Sequence, residues 1–275
     1  MIYTGIGGAG KIEQIKAHGG HEIAAVYGSI GGQQLLYSKE TIMPHMDGIT
    51  NFYDCKKGLT SSSWANLVSN ANHAVLTGAT ITQDGDLQVL CTEASHGYFD
   101  GNQSGGVAAM SKCLYAVFKA PIEGRINQNR HIVGSCYNAL SSYATGGWFS
   151  AAIDGYRTAD TICADLWGIG CGSSVHCDSY HVVVVNKLHR QGQTHPYQVS
   201  LYIDGAFISE SSIIDPSTGV KFGIGCLRDT LGNFGYNDRD LPIQIKMIAV
   251  ANASHDATQI AENSAWLRSY YGLDD

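Results

Sequence analysis

Apolar positions along most of this chain recur at every second residue, in short runs closed by Gly, Asn or Asp. Successive side chains of a strand point to opposite faces, so this period predicts β-strands. The run KCLYAVFKA (112–120) is dense in β-branched and aromatic residues, and GGWFSAAIDG (146–155) reads as a strand closed by a turn. SYHVVVVNKL (179–188) is almost continuously apolar, as expected of a strand covered on both faces. YQVSLYIDGAFISES (197–211) alternates cleanly: Val199, Leu201 and Ile203 face one way, Asp204-Gly205 turns the chain, and Ala206-Phe207-Ile208 runs back. Asp-Gly between two such runs predicts a hairpin, because both turn residues must take positive φ. VKFGIGCL (220–227) and IQIKMIAVAN (243–252) predict further strands. Helical spacing appears near the end, where Ile260, Trp266, Leu267 and Tyr270 follow Ser254-His255-Asp256 and precede a stop at Gly272. Many strands and one late helix predict an all-β fold, an antiparallel sandwich with one short C-terminal helix.

The first residues carry another pattern. KIEQIKAHGG (11–20) is followed by HEIAAVYGSIGG (21–32) and QQLLYS (33–38), so that Ile12 and Ile15 align with Ile23 and Val26. This reads as a repeated strand and Gly turn, a small β-hairpin module over residues 1–45 for attachment or oligomerisation. The patternless stretch around Pro44 marks a boundary and leaves 46–275 as the sandwich. Gly5, Gly7 and Gly10 also spell G-x-G-x-x-G, a spacing that can seat a pyrophosphate at a helix N-terminus. Gly19-Gly20 would break any helix begun at Lys11, and no second strand ending in an acidic residue follows. These glycines are therefore expected in turns, with no nucleotide.

Composition narrows the partners. Of 275 residues, 44% are hydrophobic, enough for a large core, and only 15% are charged. A net charge of −7 argues against nucleic acid, whose binders need a basic surface. No basic-then-apolar leader and no bilayer-length apolar run is visible, so a chain made in a reducing cytoplasm without membrane insertion is expected. In that setting the eight cysteines are read as mostly free thiols.

Several stretches carry a family resemblance. VSLYIDGAFISES resembles the "lYvDG" hairpin of the laminin-G-like, concanavalin-A-like jelly-roll superfamily. IQIKMIAVANASHDATQIAENSAWLRSYYG resembles that group's closing strand and helix, and HVVVVN its central strand. NFYDCKKGLTSSSWANLVSNANHAVLTGATI resembles its opening segment, through Asp54, Trp64, Asn66, Leu67, Asn70, Asn72, Ala74, Leu76 and Gly78. The resemblance runs from about Asn51 to Gly272 and implies a jelly roll. The N-terminal repeat is similar to small modules that begin bacteriophage virion proteins. Together these imply a virion protein, a fibre or appendage subunit. It would be a homotrimer that contacts other virion proteins and adheres to host surface glycan or decorates the particle.

Candidate chemistry is sparse. Glycoside hydrolases on this fold resemble one another in an E-x-D-x-x-E strand with paired carboxylates, and no such strand is present. A glycan-cleaving enzyme is thus the alternative to a non-enzymatic binder. Asp84 and Asp86 in QDGDLQV read as solvated turn formers, and Cys136 as a structural thiol. The glycan candidates are Trp148, Tyr98, Tyr143 and Tyr156, near Gly-rich stretches where a ring can stack under a sugar; Trp64, Trp167 and Trp266 read as core anchors. The cysteines and histidines of residues 163–181 lack zinc spacing. No cofactor is expected; the alternative is calcium at Asn237, Asp238 and Asp240, since the resemblance implies a family that often holds the ion at a loop rim.

Overall fold

The computed structural model of the chain describes residues 25–28, 34–38, 43–82, 85–90, 95–101, 112–120, 130–136, 148–154, 161–165, 171–190, 192, 194, 197–213, 221–228, 232, 234–235 and 242–273. The chain divides into two compact units, Met1–Pro44 and His45–Asp275. In the first, β1 (Ala25–Gly28) pairs antiparallel with β2 (Gln34–Ser38), with a bulge between Val26 and Tyr27. Gly5, Gly7 and Gly10 lie outside the described residues.

The second unit holds β3 (Ile49–Asp54), β4 (Ser63–Trp64), β5 (Ala74–Thr77), β6 (Thr80–Ile81), β7 (Leu87–Leu90), β8 (His96–Asp100) and β9 (Cys113–Lys119). There follow β10 (Arg130–Cys136), β11 (Trp148–Asp154), β12 (Thr161–Asp165), β13 (Cys171–His176), β14 (His181–His189) and β15 (Tyr197–Ile203). Last come β16 (Ala206–Ile213), β17 (Lys221–Ile224), β18 (Leu227–Arg228), β19 (Phe234–Gly235), β20 (Pro242–Ala251) and the helix α1 (Ala257–Tyr271). They form two mostly antiparallel sheets. An eight-stranded sheet runs β16-β15-β14-β9-β20-β7-β6, with β3 also on β20. A ten-stranded sheet runs β13-β12-β11-β10-β17-β8-β5-β4, with β18 also on β10 and β19 on β18. The fold is therefore the expected all-β sandwich with one C-terminal helix.

The strongest local signals became the best-defined elements. Asp204 and Gly205 take φ of 52° and 84° and close the β15–β16 hairpin. Asp256 caps α1 in a reciprocal capping box with Gln259, and left-handed Gly272 ends the helix. Between the sheets an aromatic file forms the centre of the core. Tyr53 packs against Trp64 and Phe99, Phe99 stacks on Phe222 at 4.9 Å, and Phe149 meets Phe222 edge-on. Tyr53 and Phe99 face each other because Tyr53 and Asn51 alternate inward along β3, where Asn51 also donates to the Asp100 carbonyl of the opposite sheet.

Two expectations need correction. Trp266 is half-buried on α1 and stacks on Tyr270, so it is no core anchor, whereas Trp64 is fully buried and donates to the Asp54 carbonyl. Trp167 lies outside the described residues. Asp86 is not a solvated turn former: it is 3% exposed and ion-paired, because the strand it precedes runs beside Lys246. No helix among the described residues is long and apolar enough to cross a membrane.

Candidate functional site

The residues HGYFD of β8 alternate, with Gly97 and Phe99 buried and His96, Tyr98 and Asp100 on the outer face. Across the sheet the same face carries Val75 opposite Tyr98 on β5, and Gly223 and Lys221 opposite Tyr98 and Asp100 on β17. Val75 is 40% exposed, so an apolar surface continues outward from the Tyr98 ring. Gly223 has a specific role. A Cβ there would lie 2.6 Å from the Cys226 carbonyl oxygen and thiol, so only glycine lets residues 225–228 fold back over β17. That fold-back lays the Arg228 guanidinium over the Tyr98 ring at 4.4 Å.

Arg228 is held in place by its neighbours. Its Nη1 donates to Asp100 Oδ1 at 2.8 Å and to the Phe99 carbonyl at 3.3 Å. At Gly232 two cations converge: Arg228 Nη2 and Lys221 Nζ each stand 3.7 Å from where a Cβ would sit. Among the described residues this patch brings together two positive groups and one carboxylate. Chemically it is a tyrosine ring capped by a guanidinium, beside a primary ammonium and an exposed carboxylate. The apolar edge of that stack, with Val75, can pack against a sugar, and the charged groups can hydrogen-bond to hydroxyls or an anionic substituent.

The outer face of the eight-stranded sheet is built differently. Asp86 accepts from Lys246 Nζ at 2.9 and 3.0 Å, from the Tyr180 hydroxyl, and from the Cys55 thiol at 3.6 Å. Asp54 accepts from the hydroxyls of Tyr270 and Tyr271, both at 2.8 Å. Burial, reinforced by the Asp86 and Asp54 charges, pushes the Cys55 thiol up to about 12. Burial and Asp54 likewise raise the Tyr271 hydroxyl far above its ordinary range. Asp54 is 2% exposed, so both carboxylates are sealed under side chains that consume their lone pairs. A glycosidase acid and nucleophile must touch the sugar, so this pair does not serve the paired-carboxylate chemistry of the alternative reading.

Of the sequence candidates, Tyr98 lies in the patch. Trp148 begins β11 of the same sheet, with β10 and β17 between it and β8. Tyr143, Tyr156, Asn237, Asp238 and Asp240 lie outside the described residues. Among the described residues no group of three His, Cys, Asp or Glu side chains is placed to hold a metal ion. Asp100, Lys221 and Arg228 were missed. The alternation in HGYFD could have added Asp100 to Tyr98, but Arg228 arrives from 128 residues away through a fold-back that no local signal announces.

No family model matches the chain, and no curated protein matches it. Among solved structures it is similar to a Trypanosoma rangeli sialidase in complex with sialic acid (TM-score 0.54, 14% identity), over 79% of this chain and 32% of that one. It is also similar to the botulinum neurotoxin type G receptor binding domain (0.56, 10%), over 80% of this chain and 52% of that one. A third is the binding domain of Paraclostridial mosquitocidal protein 1 (0.53, 10%), over 81% and 52%. The chain thus spans about a third of the sialidase and about half of the two binding domains. At these identities the likeness establishes a shared fold, a β-sandwich.

Proposed function

We propose that the His45–Asp275 unit is an adhesion module that binds an acidic glycan on the outer face of its ten-stranded sheet. The observation that carries this reading is Arg228 clamped over Tyr98 and converging with Lys221. A ring-stacked guanidinium with an ammonium beside it suits a sugar bearing a carboxylate better than a neutral one. The company the fold keeps supports it, since one similar structure is a sialidase holding sialic acid and others are receptor-binding domains. The sealed state of Asp54 and Asp86 favours binding over glycosidic cleavage.

The setting we propose is a bacteriophage particle, with the N-terminal unit as the attachment and trimerisation element. That part rests on the resemblance of the N-terminal repeat alone. Mass spectrometry of purified particles and light scattering of the full chain test it; a monomer absent from particles overturns it.

The binding test uses the full chain against sialylated, uronate-bearing and neutral oligosaccharides, by array and then calorimetry. Acidic sugars should bind, and Tyr98→Ala and Arg228→Gln should each weaken binding about tenfold or more, near the worth of one charge-assisted contact. Neutral sugars bound equally well, or affinity unchanged in both variants, would remove the site from this face.

A further inference from the structure

At the rim of the eight-stranded sheet, away from the Tyr98 patch, three side chains stand in a relay. The Ser179 hydroxyl lies 3.1 Å from His181 Nε2, and His181 Nδ1 lies 2.7 Å from Asp204 Oδ2. We infer that Ser179, His181 and Asp204 form a hydrolytic centre for esters of short acyl groups. This activity is separate from glycan binding and does not depend on it.

The local sequence explains how the relay is built. His181 opens β14, and Ser179 precedes it by two residues in the bend that leads into the strand, which turns its hydroxyl to the imidazole. Asp204 comes from the Asp-Gly turn of the β15–β16 hairpin, which meets the start of β14. The Asp204 amide donates to the Val182 carbonyl at 2.8 Å, and the Val182 amide returns a bond to Asp204 Oδ1 at 2.9 Å. That reciprocal pair fixes the carboxylate beside the imidazole. Helix α1 closes the hairpin tip from outside: a Cβ at Gly205 would lie 3.3 Å from Ser264 and 3.4 Å from Ala261. From the same helix Arg268 Nη1 reaches Asp204 Oδ1 at 3.1 Å.

The two carboxylate oxygens therefore have different tasks. Oδ1 takes the Val182 amide and Arg268, and Oδ2 is left to the histidine. Burial pushes the Asp204 carboxyl up, but the bonds from His181 and Val182 and the charges of His181 and Arg268 outweigh it, so it sits below its ordinary value. An ionised Asp204 holds the proton on Nδ1. Nε2 is then the basic nitrogen, and it faces the Ser179 hydroxyl.

In the step this permits, Ser179 Oγ bonds to the ester carbonyl carbon while its proton moves to His181 Nε2. The carbonyl electron pair shifts to oxygen. Collapse of that tetrahedral species breaks the ester C–O bond, and the leaving alcohol takes the proton from Nε2. Water repeats the sequence on the acyl-serine, releasing the carboxylic acid and restoring the hydroxyl. Ser179 is exposed on the rim, so an acyl group carried on a large polymer can reach it. Ser179 and His181 are the catalytic residues and Asp204 the positioning residue.

The test uses the full chain with a biotinylated fluorophosphonate and with p-nitrophenyl acetate. The fluorophosphonate should label the peptide containing Ser179, and acetate release should show an initial burst. Ser179→Ala should abolish the label, and Ser179→Ala and His181→Gln should each lower kcat by about 10²-fold or more. Asp204→Asn should lower kcat with KM unchanged, which a merely structural role would not do selectively. Because Ser179 is exposed, its alanine variant should keep the near-ultraviolet circular dichroism of the parent. No label on the parent chain, a label on another residue, or turnover in Ser179→Ala within twofold of the parent would overturn the inference. These outcomes are independent of sugar affinity, so failure here leaves the glycan reading standing, and the reverse also holds.

Discussion

Two acidic residues, one on each outer face of the sandwich, bind a cation in opposite circumstances. The Asp86 side chain is 4% exposed and its partner Lys246 14%, with Tyr180 and Cys55 filling the remaining contacts. The Asp100 side chain is 41% exposed, while that of its partner Arg228 is 10% exposed and lies across the Tyr98 ring. In the first pair both charges have left water. In the second the cation is covered but the carboxylate stays in water. A sandwich has two outer faces to solvate, and here helix α1 and its polar network cover one while the other stays available. The difference also says where substitutions should harm folding and where they should harm binding.

The largest effect should come from the sealed face. Asp86→Ala leaves the Lys246 ammonium without its counter-ion in a low-dielectric site, at a cost of about 3–5 kcal/mol. Urea unfolding measures it, and a loss below about 1 kcal/mol would mean that the pair is solvated. Asp86→Leu combined with Lys246→Met should recover most of that stability, because it removes both desolvated charges at once.

A second effect on the same side depends on pH. Burial raises the thiols of Cys55 and Cys113 from their ordinary range to about 12. The folded state therefore binds protons that the unfolded state has released. The stability this contributes is complete below about pH 9 and is lost as pH rises toward 12, by up to about 1.4 kcal/mol per pH unit for each thiol. Urea titrations at pH 8, 9 and 10 should show the decline. Iodoacetamide at pH 8 should spare both thiols until denaturant is added; rapid native labelling would place them at the surface. Cys163, Cys177 and Cys226 are likewise buried thiols outside any disulfide.

What could be read in advance divides along the same line. The Asp204-Gly205 hairpin, the Asp256 cap and the Gly272 stop are local signals, and each sits where the pattern put it. Cys113–Lys119 and Trp148–Asp154 likewise emerged within a residue or two of their apolar runs. VKFGIGCL broke into β17 and β18 at Gly225, because the chain folds back there to deliver Arg228. Long-range pairs were not legible. Asp86 meets Lys246 from 160 residues away, so its QDGD context looked like a turn although its side chain is core. Tyr98 was found as an aromatic near glycine, but the cations that give it a chemical role come from β17 and β18. Ser179 and His181 are close in sequence, yet without the hairpin carrying Asp204 they look like ordinary polar residues.

A smaller test concerns the helix that covers the sealed face. Asp256→Ala removes the bond to the Gln259 amide and half of the capping box, which should cost about 1 kcal/mol. Thermal unfolding followed by circular dichroism reads it. Because α1 closes only the eight-stranded side, sugar affinity at the Tyr98 patch should not change. A parallel loss of affinity would show that the two faces are coupled.

The smallest folding effect, and the sharpest test of the comparison, is Lys221→Gln. Lys221 is half-buried at the edge of the open patch, cross-strand from Asp100, and its ammonium reaches the same point as Arg228 Nη2. If this face exists to hold an anion, the lysine adds little to folding, and the substitution should shift stability by no more than about 0.5 kcal/mol. Its charge should matter for an acidic sugar: affinity should fall a few-fold in 50 mM salt and the gap should narrow at 500 mM, where screening shortens the reach of the charge. Neutral oligosaccharides should not register the change. A stability loss comparable to that of Asp86→Ala would mean that Lys221 is part of an internal network like its counterpart, and that the open face is as self-satisfied as the covered one.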